Sequence, residues 1–560
     1  MKKHLNIILS LVLAFYFENT FAQTGDQGDK VTTTVISVFQ PEITRNIKKI
    51  SDSPSIRDTA MPAASINYNL PARKFGTSYD VEPIKPAKMN GEPLTPLDHL
   101  YLKGGFGNYL NLYGEAWYNS TRSKEMSFGA HVRHFSASSG VDAPGFSGFS
   151  DDNVNLFGKK FIGKHTLDAG LDYSRNAVYF YGDDVGNFSH AKDSIRQFFN
   201  YVSANVGLLS HFTDSSKINH EIRLKYYYLD DHYKTSENNI LLKGTGSRYI
   251  HGELVGLDAS VDYYSDHSLH DTTNQTILHL HPFISAEGDK WEVRAGLSAY
   301  AEFGKQTPFY SFLPDAMASY DIYKHIITPY IGLGNGVFRN SYKVLTDENP
   351  FVNPNLTEGI QNTRNIYMVF GGLKGNLGTH TSYDAHASYG KVENAAFFVN
   401  DTLDPQRNKF TVVYADGSLL KLHGELGYQK SDKLHFLVQG DFVKYFLDQG
   451  MQQWHTPTTR FMLSAKYNLK SKIILRADIF ALNEQFARTY ARSAEAPFVM
   501  QVSSKELKPL VDANLGLEYR YTKYLSGFLN FNNIGAVKYY MWNDYPTQRF
   551  NLMAGITCIF

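Results

Sequence analysis

Apolar residues occupy every second position over long stretches of this chain. Between residues 459 and 482, TRFMLSAKYNLKSKIILRADIFAL, apolar side chains recur at alternate positions on both sides of the polar turn KSK. Charged residues such as Lys466, Arg476 and Asp478 fill the positions between them. A period of two is typical of β-strands, because successive side chains of a strand point to opposite faces. The segment therefore predicts an antiparallel hairpin with one apolar and one polar face.

Segments of this kind follow one another from residue 98 to the end of the chain. Short polar turns alternate with longer, irregular connections between them. The short turns are 121–124, 163–164, 213–217, 288–290, 431–433, 470–472 and 522–523, and the long connections are 139–151, 182–197, 340–361, 401–409, 447–457, 488–508 and 541–547. The number of strands is larger than in a soluble two-sheet sandwich. It fits a membrane barrel with short turns at one end and long loops at the other. The predicted fold class is all-β, a transmembrane antiparallel β-barrel of about 22 strands, within two either way.

The first 22 residues predict export. Lys2 and Lys3 precede an apolar run at 7–17, and the small residue Ala22 provides a cleavage position. This order is typical of a secretory signal peptide. An N-terminal membrane helix is the less favoured alternative, because the apolar run is shorter than a bilayer-spanning helix requires. No later stretch approaches the length of a transmembrane helix, so we expect none.

The last residues indicate which membrane the strands cross. FNLMAGITCIF alternates apolar residues up to the final Phe560, with Ile556 and Cys558 on the same face. This ending resembles the signal read by the barrel-assembly machinery, so we interpret Phe560, Cys558 and Ile556 as an assembly signal on the closing strand. Cys558 is then a small apolar residue that faces lipid. Together with the export signal, the ending predicts a multi-pass β-barrel in a Gram-negative outer membrane, in contact with outer-membrane lipid and the assembly machinery.

Composition and motifs exclude several classes of function. The 55 Lys and Arg residues balance the 55 Asp and Glu residues, so no basic surface for nucleic acid is predicted. Cys558 is the single cysteine, which excludes an internal disulfide and a cysteine zinc cage. No hydrolase, metalloprotease, P-loop or dinucleotide motif occurs at a fitting place. We therefore expect neither an enzyme nor a bound cofactor.

One group of residues has the chemistry of metal ligands. By alternation, five side chains on three adjacent strands are predicted to point inward at similar depth: Asp384, His386, His423, Glu425 and His435. Imidazole and carboxylate groups together can bind a divalent transition metal. The favoured interpretation is that they are ordinary polar wall residues, paired with one another and with water, so no metal site is predicted.

Residues 23–97 precede the predicted barrel of residues 98–560. They contain the strand-like VTTTVISVF at 31–39 and the Pro-rich EPIKPAKMNGEPLTP at 82–96, but too little periodic apolar sequence for a core of their own. This periplasmic or lumenal segment either lies along the inner wall or extends as a periplasmic tail. In the first case we expect it to narrow the lumen from below, while the long connections 340–361 and 488–508 fold inward from the other end.

Four phrases of the chain resemble a known family. They are GGFGNY (104–109), YNSTRSKEMSFGAHVRH (118–134), HTLDAGLDYSRNAVYFYG (165–182) and TDENPF (346–351). They resemble Bacteroidetes outer-membrane proteins classed with the TonB-dependent receptors. The resemblance implies a barrel of 22 strands, in agreement with the separate count. This chain also differs from the family, because such receptors carry an N-terminal plug domain about twice as long as residues 23–97.

Two functions fit this interpretation. The resemblance favours solute uptake or passage across the outer membrane, with TonB or an outer-membrane lipoprotein as a further partner. VTTTVISVF resembles the short extended segment that pairs with TonB by strand addition. The lack of a recognisable plug favours the alternative, a non-transporting structural or accessory barrel of an assembly or secretion complex.

Overall fold

The chain forms a closed antiparallel barrel of 22 strands. The computed structural model describes residues 97–560, apart from 183–190, 269–271, 305–306, 357–358, 405 and 493–499. The predicted fold class and strand number are confirmed. The predicted signal peptide, the segment at 31–39 and the Pro-rich tract lie outside the described residues, so they stay predictions.

Nineteen barrel strands follow one another directly, and three more complete the ring. Their bounds are β1 Leu100–Gly107, β2 Asn111–Asn119, β3 Met126–Ala137, β4 Phe149–Ile162, β5 His165–Tyr179, β6 Arg196–Ser210, β7 Asn219–Asp231, β8 Ser236–Ile250, β9 Glu253–His267, β10 Thr272–Glu287, β11 Trp291–Phe303, β12 Phe309–Tyr320, β13 Thr328–Phe338, β14 Thr363–Asn376, β15 Thr381–Asn400, β16 Phe410–Lys430, β17 Leu434–Leu447, β18 Thr459–Leu469, β19 Ile473–Leu482, β22 Leu510–Arg520, β23 Leu525–Asn532 and β26 Asn551–Ile559. Each strand pairs with its neighbours in chain order, as hairpin connections require.

The last strand closes the ring. β26 pairs with β23 on one side and with β1 on the other, from Tyr101 opposite Ile559 to Gly107 opposite Met553. The carbonyl oxygen of Phe560 accepts hydrogen bonds from the backbone N–H groups of His99 and Leu100, at 2.6 and 2.9 Å. Closure leaves neither β1 nor β26 with an unpaired edge in lipid.

The two faces of the wall differ as the alternation predicts. On β19 the side chains of Leu475 and Ile479 are exposed on the outside. Asp478 lies on the inner face, where it accepts a hydrogen bond of 2.6 Å from the hydroxyl of Ser464. An apolar exterior and a polar interior are what a lipid-embedded barrel requires. No helix among the described residues is long and apolar enough to cross a membrane.

The short and the long connections between strands lie at opposite ends of the barrel. The predicted short turns all lie at the end that also holds Leu97 and Phe560, and the predicted long connections lie at the other end. Some of the long connections carry structure that the sequence did not predict. Residues 340–361 contain the helix α1, Tyr342–Glu348, and residues 488–508 contain most of a hairpin of β20, Gln485–Arg492, and β21, Met500–Leu507. A shorter pair, β24 Tyr540–Trp542 and β25 Tyr545–Pro546, lies before β26.

The pairing register of three neighbouring strands shifts at one level below the long connections. The register shifts between Gly334 and Gly336 in β13, between Asn365 and Tyr367 in β14, and between Val392 and Ala395 in β15. The extra residues lie on β14, between Asn365 and Met368, and on β15, between Val392 and Ala395. Such bulges bend the strand that carries them. Above them, Arg364 of β14 forms an ion pair of 2.8 Å with Glu302 of β11. This ion pair therefore links β14 to β11 past the two strands between them.

Candidate functional site: the lumen wall and the loop cap

Inward side chains of the barrel wall form ion pairs between strands. Arg133 contacts Asp151 at 2.6 Å, and Arg223 contacts Asp168 at 2.9 Å. Other pairs are His281–Asp258, Arg339–Asp262, Arg476–Glu518 and Arg520–Glu518. Because these side chains are partly exposed to the lumen, the wall offers both donors and acceptors to a polar solute.

The predicted His and carboxylate cluster forms in part. The ring of His386 stacks on that of His423, with centroids 4.6 Å apart. The Nδ1 of His386 lies 2.9 Å from Asp384, and the Nε2 of His423 lies 4.0 Å from Glu425. The alternation did not single out Asp441, whose Oδ1 lies 2.6 Å from the Nδ1 of His423.

His435 does not join this cluster. It lies opposite Gln429 and Lys466 in the register, six residues along β17 from Asp441. Its predicted depth is therefore wrong, although it shares a strand face with Asp441. Within the described ranges, no group of three or more His, Cys, Asp and Glu side chains is arranged to hold a metal ion. The geometry is that of hydrogen-bonded wall residues.

Two of the predicted assembly residues lie on the outer face of β26, and the third, Phe560, directly follows the strand. Ile556 and Phe560 are exposed, and Cys558 is a partly buried free cysteine opposite Leu102 and Leu525 in the register. Their position fits lipid contact. Recognition by the assembly machinery stays a prediction.

The long connections meet each other across the mouth of the barrel and form a cap. The described residues of the cap are 180–182, 191–195, 339–356, 359–362, 401–404, 406–409, 448–458 and 533–550, with the strand ends that they contact. A hydrogen bond of 3.0 Å runs from the side-chain amide of Asn408 to the carbonyl oxygen of Phe180. The β5–β6 and β15–β16 connections that it joins lie ten strands apart in a ring of 22, so the contact crosses the mouth.

A hydrophobic core holds the cap together. Its buried members come from six regions of the chain: Phe180, Ile195, Phe199, Leu229, Tyr342, Leu345, Phe351, Val352, Ile360, Phe398, Phe410, Val412 and Tyr545. We call the connection between β13 and β14, which contains α1, the α1 connection. Val352 forms a backbone bridge with Phe410 that joins the α1 connection to the start of β16. Burial of this many large apolar side chains makes the closed cap a folded unit.

The α1 connection is fixed to the barrel wall by carboxylates. Ser341 caps the helix, with its hydroxyl accepting a hydrogen bond from the N–H of Val344. The hydroxyl of Tyr342 donates to Asp231 at 2.7 Å, and the N–H of Lys343 donates to Glu237 at 2.8 Å. The expected inward folding of 340–361 is confirmed by these contacts.

His455 joins three parts of the cap in its neutral form. Its Nδ1 lies 2.9 Å from the carbonyl oxygen of Phe398, and its Nε2 accepts a hydrogen bond of 3.2 Å from the N–H of Asn543. One nitrogen must therefore carry a proton and the other must not. Burial lowers the pKa of His455 to about 4.

Comparison with known proteins identifies the fold. No protein-family model matches the chain, and no curated protein matches its sequence. The pyoverdine outer membrane receptor FpvA from Pseudomonas aeruginosa PAO1 is 14% identical, with 83% of this chain and 79% of that chain covered at a TM-score of 0.59. The FrpB iron transporter from Neisseria meningitidis is 10% identical, with 83% and 82% covered at a TM-score of 0.62. The ferric-catecholate import receptor Fiu from E. coli K12 is 11% identical, with 83% and 82% covered at 0.61.

The chain has the barrel fold of TonB-dependent outer-membrane receptors. Its architecture is that of a multi-pass outer-membrane β-barrel. All three of these matched proteins are receptors or transporters. The absence of a plug domain stays a prediction, because residues 1–96 lie outside the described part of the chain.

Proposed function

We propose that this protein is a gated uptake barrel, which passes a polar solute from the outside through its lumen and is closed at rest by its cap. The observation that carries the proposal is the contact of Asn408 with Phe180, which joins opposite sides of the mouth above a polar wall. An accessory barrel that only holds partners has no need of a charge-paired lumen under a folded cap.

The matched proteins support the direction of transport. FpvA was solved with pyoverdine bound, and Fiu is an import receptor. By the same analogy, TonB supplies energy from the periplasm, and outer-membrane lipid surrounds the apolar face of the barrel. The solute is polar and hydrogen-bonding, as the lumen wall is.

Conductance in planar bilayers tests the proposal. One variant replaces residues 341–361 by a short Gly-Ser linker and removes the centre of the cap. A second variant also lacks residues 24–95, so that this segment cannot obstruct the lumen. We expect a weak current from the intact chain and a steady, larger current once both obstructions are removed. If the doubly shortened barrel still passes no ions, the lumen is not a passage and the accessory function is favoured.

A further inference from the structure

Two neighbouring strands of the barrel wall separate halfway along their length. β12 pairs with β13 over four residue pairs, from Ala316 opposite Leu333 to Ser319 opposite Tyr330. Beyond this point β12 continues to pair with β11, and β13 continues to pair with β14. The edges at 309–315 and 334–338 thus diverge toward the cap end, and we call the space between them the wedge.

The sequence explains why the strands separate here. Pro314 has no backbone N–H to donate, so it interrupts the ladder on β12. On the other side, β13 pairs with a strand that carries an extra residue, because β14 has two residues between Asn365 and Met368 where β13 has one between Gly334 and Gly336. β13 stays paired with this bulged strand, whereas β12 stays in register with β11.

The wedge lies within the apolar band of the barrel. On the outer face of β12, Tyr320 lies opposite Trp291 at the periplasmic end, and Tyr310 lies ten residues further along. Ten residues of a tilted strand rise about 25 Å, the height of the apolar band. The wedge therefore opens in the half of the bilayer nearest the cap.

The outer rim of the wedge is aromatic. Phe312 and Tyr310 are 71% and 68% exposed, more than any other aromatic side chain on the described barrel strands. No strand on the β13 side covers them at this level. A hydrocarbon chain lying in the wedge would contact both rings.

The inner side of the wedge is polar. The side-chain amide of Asn335 donates a hydrogen bond of 2.9 Å to the hydroxyl of Ser311. The Oδ1 of Asn335 is buried and has no hydrogen-bond partner among the described residues. Asp315, next to Pro314, lies 3.6 Å from the Nε2 of His281 on the lumen wall. Hydrogen-bonding groups thus lie directly behind the aromatic rim.

We propose that the wedge is a lateral binding site for an amphiphile, with its hydrocarbon chain against Phe312 and Tyr310 and its hydrogen-bonding head beside Asn335 and Ser311. Residues 309–315 of β12 have no ladder partner on the β13 side. Backbone groups in the hydrocarbon region need polar partners, and the head of an amphiphile or the water that accompanies it supplies them. The site connects the outer leaflet with the lumen. It does not depend on the gated uptake proposed above.

A β-strand of another protein fits the wedge less well. The space narrows to nothing where Ala316 meets Leu333, so it does not have the constant width of an added strand. An added strand would also lose a ladder bond at Pro314 and meet an irregular edge at the bulge. The structure therefore favours the amphiphile.

Photolabelling of the intact chain in nanodiscs tests the site. The nanodiscs contain a phospholipid with a diazirine in its head group, and mass spectrometry locates the labelled residues. We expect labels on outward residues at the membrane surfaces all around the barrel and also on the inward residues Ser311 and Leu313. Ser203, inward on the fully paired β6, is the control and should stay unlabelled. Labels confined to outward residues would overturn the proposal.

A single-chain fatty acid with its diazirine beside the carboxylate distinguishes the two sources of such an amphiphile. If it labels Ser311 and Leu313 when the phospholipid competes in excess, the site accepts a free amphiphile. If only the phospholipid labels them, the site holds a bilayer lipid. A co-purifying polypeptide that protects the 309–315 amides from exchange, without lipid, would instead show an added strand and overturn the proposal.

The variant Asn335→Leu tests the polar side of the site. Loss of one neutral hydrogen-bonding group should reduce labelling of Ser311 by about fivefold, and labelling of Tyr310 should not change. A heat-modifiable band confirms that the variant is folded. Unchanged labelling of Ser311 in a folded variant would show that no head group binds there.

Discussion

The ring of Tyr545 stacks on the ring of Phe351, with centroids 3.8 Å apart and planes 26° apart. The hydroxyl of Tyr545 also donates a hydrogen bond to the carbonyl oxygen of Asn408. One side chain from the 533–550 connection therefore holds the α1 connection and the β15–β16 connection in place.

Replacement of Tyr545 should loosen the cap. Removal of a buried aromatic side chain costs about 3 kcal/mol or more, because it leaves a cavity and unmet contacts. Tyr545→Ala should therefore raise the single-channel conductance and the uptake of large polar antibiotics. Tyr540→Ala is the matched control, since Tyr540 is 37% exposed in the same connection. Equal conductance of the two variants would contradict this role for Tyr545.

The cap should also respond to pH through His455. Burial lowers the pKa of His455 to about 4, whereas in an open cap the pKa returns to about 6.5. The open cap therefore binds the proton more readily between these values. The closed cap should be fully stable above pH 6.5 and lose about 3 kcal/mol as the pH falls to about 4. Hydrogen exchange of the cap amides between pH 7.5 and pH 4.5, corrected for intrinsic rates, measures this loss.

The control for this response is His455→Gln. A Gln side chain can donate to the carbonyl oxygen of Phe398 and accept from the N–H of Asn543, but it does not titrate in this range. We expect cap protection in the variant to vary little with pH. If cap protection in the variant and in the native protein depends on pH equally, groups other than His455 cause the dependence.

The two faces of β19 should tolerate charge differently. Leu475→Arg places a charge against lipid and should lower the free energy of unfolding by about 2–4 kcal/mol near the bilayer centre. Asp478→Asn keeps an acceptor for Ser464 in the lumen and should cost less than about 1 kcal/mol. Urea unfolding in lipid vesicles compares the two. If Asp478→Asn is as harmful as Leu475→Arg, the assignment of faces is wrong.

Removal of the closing strand should abolish assembly. Without residues 551–560, β1 and β23 each have an unpaired edge in lipid, at a cost of several kcal/mol per unsatisfied group. We expect no heat-modifiable band in outer membranes. Cys558→Ala keeps the strand and should insert normally. Recovery of the truncated barrel from the membrane would contradict the need for closure.

The alternation of side chains predicted the barrel because it is a local property of each strand. The same property fails at bulges, since one extra residue after Val392 of β15 or after Asn365 of β14 leaves most of the pattern intact while it bends the strand. It also fails for β20 and β21, whose residues do not separate into apolar and polar faces. Their structure depends on backbone pairing with each other.

The candidate site depends on contacts between distant residues. Alternation placed His386 and His423 on the same face of adjacent strands, but the depth of His435 depended on a register that the sequence does not fix. Asn408 and Phe180 are 228 residues apart, so no periodic signal links them. Pro314 and the glycines of GLGNG at 332–336 were the available signals for the wedge, because both weaken a strand ladder.

The seam between β1 and β26 determines the order in which the barrel can fold. All other barrel strands pair with a neighbour in chain order, so those hairpins form over short chain separations, whereas the seam joins residues as distant as Tyr101 and Ile559. The entropic cost of bringing such ends together directly is high, but it falls once the intervening hairpins have shortened the effective loop. Folding therefore passes through an open, curved sheet with two free edges. Gly104 and Gly555 suit this last step, because a Cβ on Gly555 would lie 2.1 Å from the carbonyl oxygen of Gly104, and the bare backbones have no side chains to order as they meet.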